Sequence, residues 1–289
     1  MAVINTNVAA TLTANALTKN DRDMTQTMER LSTGKRINSA SDDAAGLAIA
    51  SKMTSQIRGL NQAVRNGNDA ISMLQTADGA MIEVSNMLQR MRELSVQAGN
   101  GTLSSADLTA LNTEFVALRT EIERIADNTQ WNGDNLLDGS AGANGLMTFQ
   151  VGYEANQTIT VNLGDLQLDG DASYSAGSTA GGVFTNDIDS LTITTATLAN
   201  TTVAALDVSI AGLDAKRATI GAAINTLEYA VDNLANVSQN TAASRSRIED
   251  ADYASETTEL ARTQIIAQAG TAMLSQANQQ AQSVLALLK

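Results

Sequence analysis

The chain has 289 residues with no proline, no cysteine and no histidine. These absences exclude disulfides and thiolate chemistry, an imidazole base or Ser-His-Asp triad, and the usual zinc sites. A formal net charge of -13 argues against a nucleic-acid backbone or an anionic membrane as the main partner, and an aromatic content of 3% leaves small residues and aliphatics to fill any core.

From Met1 to Thr18 no side chain is charged, and the first cationic side chain is Lys19. This start lacks the basic end and apolar stretch of a secretory signal. A cytoplasmic protein is therefore expected unless a dedicated export channel reads another signal. No run of about 18 apolar residues marks a membrane span. Ala10, Leu17, Met24 and Leu31 recur every seven residues.

The next element is a helix from about Asp43 to Ala98, roughly 80 Å long at 1.5 Å per residue. Its stripe is Ile57, Leu60, Val64, Gly67, Ile71, Leu74, Ala77, Met81, Val84, Leu88 and Met91. The steps around Ala77 slip the heptad phase once. Asp42 and Asp43 suit the positive end of the helix dipole, and Gly99-Asn100-Gly101 ends the run. Ser104 and Asp107 have capping-box spacing and open a third helix to about Asp127, with Leu108, Leu111, Phe115, Leu118, Ile122 and Ile125 on one face.

The middle differs in kind. Asn132-Gly-Asp-Asn and Asp138-Gly-Ser-Ala-Gly are turn chemistry, with Trp131 expected to anchor the turn. Met147–Val151 and Thr158–Leu163 read as the two strands of a hairpin. Residues 164–186 are rich in Gly, Ser, Asp and Thr, and Leu191–Thr195 reads as one more strand.

Helical spacing then resumes with Leu206, Ile210, Leu213, Ile220, Ile224, Leu227, Val231 and Leu234, Arg217 occupying one seam position. This is a coiled-coil seam of about four heptads. It continues through Ser238, Thr241 and Arg245 to Ile248. From Ala254 to Lys289 the only charged side chains are Glu256, Glu259, Arg262 and Lys289. The expected fold is mainly α: a long antiparallel helical coiled coil with a β-hairpin and a small turn-rich outer insertion, its termini paired as helices. Two such terminal helices cannot bury all their apolar surface against each other. Self-association or a membrane could cover it, and their Ala/Gln/Asn/Thr content favours self-association.

The terminal motifs resemble bacterial flagellin. They are Ala2-Val-Ile-Asn-Thr-Asn7, the run Glu29 to Ala50, Leu88 to Gln97 and Asn128-Thr-Gln-Trp-Asn-Gly133 in the first half. In the second half they are Ser246 to Tyr253, Gln264 to Thr271 and Gln276-Ala-Asn-Gln279. The resemblance implies three layers: 1–42 with 253–289 as an inner helical domain, 43–163 with 200–252 as a rod domain, and 164–199 as a small exposed outer segment. It implies a structural, non-enzymatic subunit of the extracellular filament, with no cofactor or metal, exported through the flagellar channel without a cleavable signal. Its implied partners are other copies of the chain, an export chaperone, the distal cap and hook-junction proteins. A nucleic acid or a membrane is not among them. Leu17, Met24, Leu31, Ile265, Leu274, Val284, Leu285 and Leu288 are the expected inner-core and chaperone surface. Relatives often carry proline where Ala281 stands, so the last helix is expected to run unbroken to Leu287.

Arg90, Leu94 and Glu114 match positions that the flagellin-sensing Toll-like receptor reads in relatives. Subunit packing along a protofilament is the preferred primary role. The pairs Asp42/Asp43 and Asp250/Asp252 are read as helix-end charge and ion-pair partners of Lys35, Arg36, Arg245 or Arg247 rather than as acid/base or metal sites. Met24, Met28, Met81, Met87 and Met91 are read as seam or groove fillers. Ser and Thr between Ser173 and Thr202 are read as a solvated loop, with O-linked sugars as the alternative. The competing readings are a hook–filament junction protein and a secreted coiled-coil adhesin. The protease-bearing flagellins need His-Glu-x-x-His, which a histidine-free chain lacks. Arg217 and the phase slip at Ala77 are candidate switch elements.

Overall fold

The computed structural model describes residues 7–143, 145–168, 183–184 and 188–286, with side chains up to residue 279. Among them are five helices: α1 (Val8–Thr33), α2 (Ala44–Ala98), α3 (Ser105–Asn128), α4 (Ala196–Glu249) and α5 (Tyr253–Ala286). Two antiparallel hairpins complete the set: β1 (Gln130–Trp131) with β2 (Asp134–Asn135), and β3 (Leu146–Gln150) with β4 (Thr158–Asn162). The chain is mainly α, as its heptads require.

Each helix starts on a side-chain cap that satisfies otherwise unpaired N–H groups. Asn7 accepts from Ala10 N at 3.1 Å, and Asp43 accepts from Gly46 N at 2.8 Å. Ser104 and Asp107 form the expected capping box. Thr195 accepts weakly from Leu198 N at 3.3 Å, and Asp252 accepts from Ala254 N at 3.0 Å. Gly34 closes α1 with its N–H on the Arg30 carbonyl, 2.9 Å away. α5 runs without a break through position 281 to Ala286.

The chain divides into two compact units: Met1–Ile57 with Gln239–Lys289, and Arg58–Ser238. In the second unit α2 and α4 run antiparallel. Asn61 meets Ser238 at 2.9 Å, Asp78 meets Arg217 at 2.9 Å and Arg92 meets Asp207 at 2.6 Å. Leu74, Ala77, Met81, Val84, Leu88 and Met91 are fully buried, as are Leu206, Leu213, Ile220 and Leu227. The stripe therefore stays in the core through the phase slip. Gly67 lies where Val231 presses in, so that a Cβ there would stand 2.5 Å from Val231 Cγ2. α3 covers the other flank of α2 with Phe115, Ile122 and Ala126.

An 18-residue window of α4 has mean hydropathy 1.3, enough by length and composition to cross a bilayer. Alanines raise the average, and the large side chains Leu206, Leu213 and Ile220 are occupied in the protein core.

The β1–β2 turn places Asn132 at φ 52 and Gly133 at φ 92, the all-positive backbone of a type I′ hairpin that Asn-Gly favours. In the second hairpin Leu146 pairs with Asn162 and Gln150 with Thr158. Asn66 on α2 donates to the Gln150 carbonyl at 3.2 Å and ties this hairpin down.

Residues Leu191–Thr195 do not form a strand. Ile193 is buried, its N–H held by Asn112 of α3 at 3.0 Å, and Arg119 grips Asp189 through both its carboxylate and its carbonyl. The segment docks on α3, and no sheet edge is there to pair it. The described ends of the expected outer segment 164–199 are core as well, with Leu166, Leu168, Ile188 and Ala199 at most 1% exposed. Most of the Ser/Thr-rich stretch, 169–182 and 185–187, lies outside the described residues.

Candidate functional site

The first unit is built around α1 and α5, which run antiparallel with closely approaching backbones. Asn7 donates to the Ala277 carbonyl at 3.1 Å and Asn20 to the Thr263 carbonyl at 2.8 Å. Arg30 pairs with Glu256 at 3.3 Å, and Tyr253 Oη donates to the Leu31 carbonyl at 2.6 Å. Beyond the helix ends Lys35 pairs with Glu249 at 2.5 Å and Arg36 donates to the Ile248 carbonyl at 2.8 Å.

The seam alternates apolar and polar residues. Leu17, Met24, Leu31 and Leu274 are half-buried in it. Asn20, Thr27 and Thr263 are its buried members, and sequence reasoning missed them. The signal was available: counting three residues on from Leu17 and Met24 reaches Asn20 and Thr27, the other half of each heptad. Gly270 keeps the seam narrow, since a Cβ there would meet Leu17 Cδ1 at 3.2 Å.

Ile265 is not part of this seam. It lies two residues past Thr263, on the outer face, and is 66% exposed. Val8, Leu12, Met28, Ile266 and Met273 are also large apolar residues left exposed on the pair. The backbone of Val284 and Leu285 is helical within α5, but their side chains, and all of Leu288, lie outside the described residues. Together the exposed side chains give the pair an apolar exterior that a lone chain leaves in water, the mark of an association surface.

The second surface lies on α2 and α3. Arg90 bonds Glu114 at 2.9 Å and Glu93 at 3.0 Å, with all three side chains largely exposed. Hydrogen bonds from Glu93 first, then Glu114, raise the already high Arg90 pKa. Exposed pairs of this kind add little stability. Leu94 does not join that surface: it is 1% exposed and packs in the core, because it continues the Met91–Ala98 stripe one turn behind Arg90.

The acidic pairs act locally. Asp43 and Asp252 are caps. Asp250 accepts from the Ser246 hydroxyl at 2.5 Å. Asp42 gathers the Asn38 and Ser39 N–H groups and the Gln26 amide around its carboxylate. Lys35 and Arg36 pair elsewhere. Arg217, a seam position, meets Asp78 beside Ala77, so the phase slip and the seam cation are one feature.

Comparison with known proteins decides the family. Residues 4–142 match the bacterial flagellin N-terminal helical region and residues 203–288 the bacterial flagellin C-terminal helical region. The flagellin of Halalkalibacterium halodurans is 44% identical over 262 residues, covering 91% of this chain and 90% of that one. The chain belongs to the bacterial flagellins. The flagellin of Bacillus subtilis is 43% identical and covers 99% of both chains. A solved flagellar hook-associated protein from Vibrio parahaemolyticus has a TM-score of 0.58 and 18% identity, covering 72% of this chain and 100% of that one. This last likeness shows the fold alone and does not favour a junction protein. The chain is a structural subunit of the flagellar filament that forms a homopolymer.

Proposed function

We propose that the α1/α5 pair is the part of this flagellin that closes the filament from within, with residues 1–42 and 253–289 as the inner layer and 43–163 and 200–252 as the rod layer, joined by the buried described ends of the expected outer segment 164–199. The observation that carries this is the apolar exterior of the pair at Val8, Leu12, Ile265 and Met273, exposed in one chain. Other copies are the partners whose matching helices can cover it.

Before assembly the same face needs a cover, and an export chaperone on α5 supplies one. Export through the flagellar channel without a cleavable signal, assembly beneath the distal cap and joining to hook-junction proteins complete the reading. The Arg90–Glu114 face is proposed as a contact along a protofilament that a host Toll-like receptor reads on the monomer. Leu94 stiffens it from behind.

The deciding experiment is electron microscopy of salt-induced polymers of the full chain and of a chain lacking 254–289. Long tubes are expected from the first only, while circular dichroism of the second retains the helices of the Arg58–Ser238 unit. Normal tubes from the truncated chain would contradict the proposal. The variant Arg90→Ala with Glu114→Ala is expected to weaken both polymerisation and receptor signalling. Unchanged signalling by its monomer removes the receptor from the reading.

A further inference from the structure

The sequence contains four Asn-Gly dipeptides, at Asn66, Asn100, Asn132 and Asn144. We propose that Asn100, in the turn between α2 and α3, is a site of spontaneous deamidation and isoaspartate formation, and that the fold protects Asn66 and Asn132 from the same reaction.

The chemistry has three requirements. The asparagine side chain must be free to swing toward the next peptide nitrogen. That N–H must be unheld. The following residue must offer no Cβ in the way. Asn100 and Gly101 are both exposed and lie past the last helical residue, Ala98. Nothing stands within 4 Å of the position a Cβ would take on Gly101. Among the described residues, no hydrogen bond holds the Asn100 side chain or the Gly101 N–H. The backbone bonds that do touch Asn100 are its own N–H to the Gln97 carbonyl at 3.2 Å and the Leu103 N–H to its carbonyl at 3.4 Å. The second is long, so the peptide plane joining Asn100 to Gly101 turns at little cost.

The reaction then needs only water. The Gly101 nitrogen gives up its proton to hydroxide and attacks the Asn100 side-chain carbonyl carbon. A C–N bond forms, and the side-chain nitrogen leaves as ammonia after taking a proton from water. The product is a five-membered cyclic imide. One water opens it. Attack at the former side-chain carbonyl gives aspartate; attack at the main-chain carbonyl gives isoaspartate, with the main chain rerouted through the β-carbon. No electron is transferred. Either product places a negative charge just beyond the C-terminus of α2, where the helix dipole disfavours it.

The other sites are held. Asn66 sits mid-helix, donating to the Gln150 carbonyl and accepting from Gln62 at 2.8 Å, and Gly67 is pressed by Val231. Asn132 is exposed, but its backbone is fixed at φ 52 between two paired strands. Asn144 lies outside the described residues.

Peptide mass mapping of the full chain, incubated at mildly alkaline pH with and without denaturant, tests this. In the folded chain the Asn100 peptide is expected to convert several-fold faster than those of Asn66 and Asn132, with isoaspartate exceeding aspartate. In denaturant the three rates should converge. Gly101→Ala should slow conversion at Asn100 alone. Equal rates at the three sites in the folded chain, or conversion at Asn100 untouched by Gly101→Ala, would overturn the proposal. The chemistry belongs to the turn itself, so the result stands apart from whether the chain polymerises.

Discussion

Between α2 and α4 the seam of the Arg58–Ser238 unit holds Leu74, Met81, Leu88, Leu206, Leu213 and Ile220, all fully buried. Between α1 and α5 the corresponding positions hold Asn20, Thr27, Thr263 and Gly270 among a few half-buried leucines. Both pairs are antiparallel and both follow seven-residue spacing. Large aliphatics remove much apolar surface from water at about 25 cal/mol per Å², and they complete one unit inside one chain. Small and polar residues let backbones approach and fix register through hydrogen bonds, but they bury little apolar area. The pair they make keeps its large apolar residues, Leu12, Ile265 and Met273, on the outside. One unit buries a continuous aliphatic seam within its own chain; the other buries mostly small and polar seam residues and leaves its large apolar ones in water.

The largest effect that can break this contrast is a cavity in the finished unit. Leu213→Ala removes a side chain that is 0% exposed and should cost about 2–5 kcal/mol in urea unfolding. Leu17→Ala, at a half-buried seam position of the terminal pair, should cost clearly less in the monomer and more in the filament. Equal losses in the monomer would mean that the terminal pair is as self-sufficient as the rod unit.

The next test falls on register. Asn20→Ala deletes the buried hydrogen bond to the Thr263 carbonyl, a loss of about 1 kcal/mol. Amide exchange should quicken across α1 and α5 and stay unchanged at Leu88 and Phe115. A polar residue at a seam position sets alignment at some cost in adhesion, so Asn20→Leu should tighten the pair while admitting slipped registers. Uniform, native exchange in Asn20→Leu would remove the register role.

Most of this architecture was legible. Heptad spacing located α2 and α4 because a 3.5-residue repeat survives in any sequence that must bury one face. Turn chemistry marked the Asn132-Gly133 turn without its two short strands, and the β-prone runs on either side of residues 152–157 located the second hairpin. The errors share a cause. Thr192-Ile-Thr194 alternates like a strand, but a strand needs a partner edge, and Ile193 instead found Asn112 on α3. Leu94 and Arg90 are one turn apart on α2, yet Leu94 falls on the buried Met91–Ala98 stripe while the Arg90 side chain reaches out along the edge to Glu114. The pairing of Arg90 with Glu114 depends on how the 99–104 turn sets the two helices, which local spacing does not encode.

A smaller effect is expected where the rod seam itself turns polar. Arg217 and Asp78 are each 31% exposed, and solvent screening holds such a pair to about 0–1 kcal/mol. A double-mutant cycle with Arg217→Leu and Asp78→Ala should return a coupling in that range. Leucine between Leu213 and Ile220 extends the aliphatic seam, so the double variant should be neutral or more stable than the parent. A larger coupling would make the ion pair a structural support of the slip, and the two seams would then be less different than their compositions suggest.

The smallest effect is a pH response that both units share. Asp42 is held below the ordinary aspartate pKa first by the Ser39 N–H and then by the Asn38 N–H. Asp107 is held below it first by the Ser104 hydroxyl and then by the Ser104 N–H. A depressed folded-state value means the stabilisation is fully present above the ordinary value near ~3.9 and is lost as pH falls through the lower folded one. Acid should therefore expose the Asn38, Ser39 and Ser104 amides to exchange before it reaches either seam. In the rod unit the loss stops at the first turn of α3, because Phe115 and Ile122 anchor the rest. In the terminal unit the buried apolar residues described near the 38–42 loop are Ile37 and Ala50, a smaller backing than Phe115 and Ile122, so loosening should spread to Gln26 on α1, whose amide bonds Asp42 at 2.9 Å. Asp42→Asn should reproduce that spread at neutral pH. Exchange confined to Asn38 and Ser39 in this variant would show that the terminal unit contains acid damage as well as the rod does.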